Sequence, residues 1–170
     1  MIDMAGWELK FYEFVDKLPF DLAYQHHLFV HFAFVLPIIA FVIQWISLTS
    51  PDKGYNNAAN VLFYFGGVFI LLAYVSGFAA TPDIKPILSI PGQNLLDSHQ
   101  KIGKYLVYIY IFLMILKAFS ISIKKEGLRY LVTALMIGAL ITLWYEVKIG
   151  HELVFQHGAG IDVISEEEDF

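Results

Sequence analysis

The chain contains no cysteine among its 170 residues. That absence excludes disulfides, thiolate metal sites, iron–sulfur clusters and covalently attached c-type haem, because each of them needs a cysteine sulfur. Charged residues are scarce too, at 16% of the chain, whereas a soluble domain carries about a quarter. The net charge of −5 argues against a nucleic-acid partner, since an acidic protein is repelled by the phosphate backbone.

Hydrophobic residues make up 58% of the sequence and are gathered in long blocks. Each block has about twenty residues and is almost free of charge, which at about 1.5 Å per residue suffices to cross a hydrocarbon layer of roughly 30 Å. The blocks are Leu28–Leu48, Ala58–Ala80, Tyr105–Ile123 and Leu128–Val147. We therefore expect an all-α integral membrane protein, a four-helix up-down-up-down bundle in contact with membrane lipid.

The whole chain is expected to form a single membrane domain, with residues 26–162 as the bundle. In residues 1–25, Trp7, Phe11 and Phe14 recur at helical spacing between charged residues, which favours a short amphipathic helix in the membrane interface. Residues 163–170 are predicted to be a solvated acidic tail. Residues 82–98 contain three prolines and are predicted to be a loop between the second and third segments.

Orientation is predicted from the short turn between the third and fourth segments. Lys124, Lys125 and Arg129 cluster there, and short loops rich in lysine and arginine usually face the cytoplasm. The protein would then be a multi-pass protein of a bacterial inner membrane. Both termini would lie on the periplasmic side.

Few polar residues lie inside the apolar segments. Gln44, Lys117 and Glu146 are each close to a segment end, where a long side chain is expected to snorkel to the interface. Gly77 and Gly103 allow either close packing of helices or space for a flat macrocycle.

Six histidines occupy segment ends that an up-down-up-down bundle places on one membrane face. Imidazole is the commonest protein ligand of transition metals and a regular axial ligand of haem iron. His26, His27 and His31 lie at the start of the first segment, His99 precedes the third, and His151 and His157 follow the fourth. The layer is predicted to bind haem b, or zinc or copper, or only backbone and lipid headgroups.

Each metal hypothesis uses a different set of side chains. For haem b, imidazoles from two helices would hold the iron, and the propionates would meet cationic side chains on the same face: Lys85, Lys101 and Lys104. For zinc or copper, His27 and His31 share one helix face, and the shell would be completed by His99 or His151 with Asp97 or Glu152. No zincin motif or nucleophile signature is found, which argues against a stand-alone hydrolase.

Two sequence motifs resemble those of a bacterial four-helix membrane family catalogued as domain of unknown function 2231. HHLFVHFA at residues 26–33 resembles the opening HPxxVHFP signature of that family. GHELVFQHGAGI at residues 150–161 resembles its closing G-G-x-L-V-Y-x-H-G-x-G-V. Ser76-Gly77 and the single His99 also fit, so the resemblance covers residues 26–162.

The resemblance implies a haem b membrane protein whose matched histidines are His26, His31, His99 and His157. Two histidines depart from the family pattern. His27 replaces the first proline of the opening signature, and His151 replaces a glycine of the closing one. These two additional imidazoles leave open whether the chain holds one haem or two.

We predict a haem-binding electron-transfer subunit with its site at the periplasmic face. The iron ligands are expected to be His31 and His99, on diagonal helices, with His26 and either His157 or His151 as a second pair. Its partners would be quinol, a periplasmic cytochrome or other subunits of a respiratory complex. The alternative is a structural membrane subunit whose histidines bind zinc or copper and have no redox role.

Overall fold

The computed structural model describes residues 21–50 and 52–160, preceded by four isolated positions, Gly6, Lys10, Glu13 and Phe14. Four long helices dominate this part of the chain: α1 (His26–Thr49), α2 (Lys53–Ile84), α3 (Ile90–Ile123) and α4 (Glu126–His157). All four are long and apolar enough to cross a membrane, so the predicted all-α four-helix membrane bundle is confirmed. Most of the predicted interfacial helix and all of the acidic tail lie outside the described residues.

The helices pack in a ring in chain order. α1 lies against α2, α2 against α3, α3 against α4, and α4 returns to α1, so α1 and α3 are diagonal to each other. The contact between α1 and α2 is the most extensive of the four, and that between α4 and α1 is the least. The starts of α1 and α3 and the ends of α2 and α4 form one end of the bundle, called the histidine end below.

The prediction of a loop over residues 82–98 is wrong. α2 continues through Pro82 to Ile84, a 3-10 turn covers Lys85–Ile87, and α3 already begins at Ile90. Pro91 lies in the first turn of α3, where the backbone N–H that proline lacks has no helical partner. The Ser89 hydroxyl caps this helix by accepting from the Gly92 N–H at 3.4 Å. His99 therefore lies on a helix, not in a loop.

The snorkelling prediction is wrong for all three polar residues in the segments, because the side chain of Glu146 is only 12% exposed and faces His99. Gln44 has 0% of its surface exposed and Lys117 only 3%, so both are enclosed by the helices. Large apolar side chains such as Trp45 and Phe112 are exposed instead, at 57% and 58%. A bilayer favours this arrangement, in which polar side chains lie inside the bundle and apolar side chains face the lipid.

Close packing of α1 on α2 depends on Gly66. Pro37 lies inside α1, and a Cβ atom at Gly66 would be only 3.0 Å from Pro37 Cδ and 3.2 Å from Pro37 N. Because one of these contacts is with backbone, the neighbour cannot rotate away. Gly138 of α4, by contrast, has nothing within 4 Å of such a Cβ.

Gly66→Ala is expected to destabilise the protein by about 1–3 kcal/mol, since overpacking outweighs the better helix propensity of alanine. Thermal unfolding in detergent would measure this. The matched control is Gly138→Ala, which gains the same helix propensity without a clash and should leave stability unchanged or higher. Equal melting temperatures for the two variants would contradict the packing described here.

Candidate histidine site

The structure divides the six histidines into two groups of three. His26, His99 and His157 are partly buried, whereas His27, His31 and His151 are exposed. The partly buried histidines are thus the candidates for a site enclosed by the bundle. The division does not follow the family motif, because His31 matches the motif and is exposed.

His26 is held by the facing helix α2. Its Nδ1 lies 3.0 Å from the Ser76 hydroxyl oxygen, and that hydroxyl donates its only proton to the Ala73 carbonyl at 3.0 Å. With its proton on that carbonyl, the Ser76 hydroxyl accepts from His26, which favours the neutral tautomer with the proton on Nδ1. In that tautomer the lone pair of His26 is on Nε2.

His99 has an acidic partner on α4. Its Nδ1 lies 3.1 Å from Glu146 Oε1, at ion-pair distance but without the alignment of a hydrogen bond. If Glu146 is ionised, its carboxylate can only accept, and an imidazole facing it then carries its proton on Nδ1 and its lone pair on Nε2. The other carboxylate oxygen, Oε2, is buried and has no hydrogen-bond partner among the described residues.

His26 and His99 approach each other inside the histidine end. They project from the diagonal helices α1 and α3, and their imidazoles are close enough to interact electrostatically. The structure thus brings together two partly buried imidazoles. Each has Nδ1 beside an oxygen of a neighbouring helix, which leaves Nε2 available to a ligand.

Glycines on the facing helices make room for these polar side chains. A Cβ at Gly77 would lie 2.7 Å from His26 Cε1, and one at Gly150 would lie 3.2 Å from His99 Cε1. At Gly103 it would lie 2.9 Å from Glu146 Oε1. Gly77 and Gly103 are therefore glycines because imidazole and carboxylate groups pack against them.

Within the described part of the chain, the exposed histidines have local contacts only. His31 Nδ1 lies 2.5 Å from the backbone carbonyl of His27, one turn earlier on the same helix. The His27 ring meets the Tyr24 ring edge-on with centroids 5.8 Å apart, and the His151 ring lies 4.3 Å from that of Phe155. The structure therefore places His31 on the outside of α1, whereas His99 is partly buried.

The ligand set predicted for zinc or copper is not assembled. Within residues 21–50 and 52–160, no group of three or more histidine and acidic side chains converges as a metal site. Asp97, one predicted ligand, instead pairs with Lys85 at 2.5 Å. That contact also engages Lys85, which the haem hypothesis assigned to a propionate.

A polar pocket of about 450 Å³ lies between α3 and α4 at the level of His99. Lys101 and Lys148 are its cationic lining residues, and Glu152 is the acidic one. Neither lysine has an ion-pair partner in the described part of the chain. The pocket therefore carries two cationic side chains and one acidic side chain at the histidine end, although neither His26 nor His99 lines it.

These features define an integral four-helix membrane protein with a partly buried histidine pair at one end. Residues 25–163 match the model of the family described as "predicted membrane protein (DUF2231)", and the chain belongs to that family. The predicted family membership is thus confirmed. Neither a curated protein nor a solved structure matches the chain.

Sequence reasoning missed the partners of the two imidazoles. Glu146 was treated as a surface-reaching side chain, although a carboxylate inside an apolar segment of the histidine-bearing helix α4 was a signal for a buried pair. Ser76 was noted only through its match to the family pattern. Neither the spacing of His99 and Glu146 nor that of His26 and Ser76 indicates contact, because the partners are on different helices.

Ser76→Ala is expected to weaken the preference of His26 for the tautomer protonated on Nδ1, because the hydroxyl that accepts from Nδ1 is lost. In ¹⁵N NMR spectra of histidine-labelled protein, wild-type His26 should show a protonated Nδ1 and an unprotonated Nε2. The variant should show a mixture of both tautomers. Ser122→Ala, which removes an exposed hydroxyl bonded to the Ala118 carbonyl at 3.0 Å, is the control and should leave the spectrum unchanged.

Proposed function

We propose that this protein binds one haem b at the histidine end and acts as a membrane-embedded electron carrier. The observation that carries the proposal is the pair His26 and His99. Two partly buried imidazoles come from diagonal helices, each with Nδ1 beside a neighbouring oxygen and Nε2 left free. Axial ligation of haem by two histidines needs this donor set.

The residues around the pair fit such a group. Ligating histidines usually hold their second nitrogen against a carboxylate, a carbonyl or another acceptor, which fixes the ring and its tautomer. Ser76 and Glu146 provide those acceptors for His26 and His99. The Oε2 atom of Glu146 has no hydrogen-bond partner among the described residues, and an ionised Glu146 would compensate a cationic iron. Bound haem b would supply one-electron redox chemistry, which the chain itself lacks.

This proposal changes one ligand predicted from the sequence. The sequence favoured His31 with His99, but His31 is exposed and turned toward the backbone of its own helix. His26 takes its place because it is partly buried and lies near His99. His157 packs instead against Gly92, which precedes His99 by two turns of α3, or about 10 Å. We therefore propose one haem and not two.

The polar pocket between α3 and α4 supports the same assignment. Lys101 and Lys148 would neutralise propionate carboxylates there, since Lys85 is already paired with Asp97. We keep the orientation predicted from the loop charges, with the histidine end on the periplasmic side of an inner membrane. Quinol, a periplasmic cytochrome or a respiratory complex are the partners that a carrier at this position would serve.

The ligand assignment predicts which variants change the visible spectrum. Protein purified in detergent after haem-replete expression should give a haem b pyridine haemochrome and a low-spin spectrum. His26→Ala and His99→Ala should each abolish the low-spin signal, because loss of one axial imidazole leaves the iron five-coordinate. The matched controls are His27→Ala and His31→Ala, on the same helix as His26, and both should retain it.

Two results would overturn the proposal. A colourless preparation would exclude haem, and metal analysis of the same sample would then test zinc or copper. A low-spin signal that survives His26→Ala but disappears in His31→Ala would restore the pair favoured by the sequence.

Glu146→Gln tests whether Glu146 orients the His99 imidazole and places negative charge beside it. The haem content should be kept while the reduction potential rises, since the variant cannot carry that charge.

A further inference from the structure

A second polar cluster lies at the end of the bundle opposite the histidines. Lys117 of α3 donates through Nζ to Gln44 Oε1 of α1. Arg129 of α4 donates through Nη2 to the backbone carbonyl of Ser47 and to its hydroxyl, the latter at 2.9 Å. Gln44 and Ser47 also bond to each other, with Gln44 Nε2 donating to Ser47 Oγ at 3.1 Å. Lys117 and Arg129 thus connect α3 and α4 to the same short stretch of α1.

These cations have no acidic partner among the described residues. Lys117 is only 3% exposed, and the two side chains are close enough to repel each other electrostatically. The buried Nε of Arg129 has no acceptor within the described chain. The Phe63 ring, whose centroid is 5.9 Å from Lys117 Nζ, gives only a weak compensation. Holding a buried and a partly buried cation without an acidic partner is costly, so a bound anion would stabilise the cluster.

An apolar groove begins beside this cluster. It lies between α1 and α4, the least closely packed pair of neighbours, and has a volume of about 820 Å³. Its α1 wall runs from Phe34 to Ile46, immediately before Ser47. The twelve helical steps from Phe34 to Ile46 correspond to about 18 Å, close to the thickness of one leaflet of a bilayer with a roughly 30 Å hydrocarbon core.

We propose that this end of the bundle binds an anionic phospholipid. Its phosphate would pair with Arg129 and Lys117, and one acyl chain would lie in the groove between α1 and α4. Phosphate oxygens match the planar fork of arginine and supply the missing acceptor for Nε. A soluble anion would leave the groove empty, and an uncharged quinone would leave the two cations without a counter-charge. This site is separate from the one proposed for haem.

The experiment uses full-length protein stripped of lipid in detergent and titrated with phosphatidylglycerol, followed by native mass spectrometry and thermal unfolding. One molecule is expected to bind per chain and to raise the melting temperature. Arg129→Gln should weaken this binding about tenfold, the loss expected for charge-assisted hydrogen bonds. Lys125→Gln is the matched control, because it removes the same charge at the same end outside the cluster, and its affinity should be unchanged.

A second pair of variants tests the groove without touching the buried cluster. Ile141 lines the groove and is 67% exposed, so Ile141→Trp should obstruct the acyl chain and weaken binding while the protein still folds. Ile115→Trp, at an exposed position of α3 away from the groove, should have no effect.

Three results would overturn the proposal. The first is equal phosphatidylglycerol affinity in all four variants. The second is stabilisation by inorganic phosphate as large as that by phosphatidylglycerol, which would indicate a soluble-anion site. The third is equal binding of uncharged diacylglycerol, which would remove the role of the two cations.

Discussion

The position of polar side chains in this bundle depends on where helix backbones can approach each other at glycine. His26 fits because Gly77 has no side chain, Glu146 because of Gly103, and His99 because of Gly150. In a bilayer a polar group must find its partner inside the protein, since the hydrocarbon offers none. The glycines therefore allow the imidazoles of His26 and His99 to face oxygens of neighbouring helices.

The two ends of the bundle are suited to ligands of opposite charge. At the histidine end, neutral imidazoles face a carboxylate with one unpaired oxygen, so the site can accept positive charge. At the other end, Lys117 and Arg129 share only neutral acceptors, so the site can accept negative charge. Between them lies an apolar core that includes Ile70, Tyr110 and Met136. Along α3, the eighteen residues from His99 to Lys117 correspond to about 27 Å.

The sequence was sufficient for the number of helices, the family and the common face of the histidines, because each follows from long apolar blocks or from a motif. It could not determine which histidines point inward. His26 and His31 are five residues apart on α1, and the rotation of α1 about its axis depends on contacts such as Pro37 with Gly66. The proline-rich connection was misread because proline is tolerated in the first turn of a helix, as Pro91 shows. Gln44 and Lys117 were misplaced since their partners are on other helices.

The distribution of helix contacts has a consequence for biogenesis. α1 with α2, and α3 with α4, are neighbours joined by short turns, and the seams between these two hairpins are less extensive. Ser76 holds His26 within the first hairpin, and Glu146 lies beside His99 within the second. Membrane helices insert before they associate laterally. Each hairpin can thus form its own histidine contact on leaving the insertion machinery. The two imidazoles come near each other only when the hairpins pack together. A ligand bound by both imidazoles would therefore also join the two hairpins.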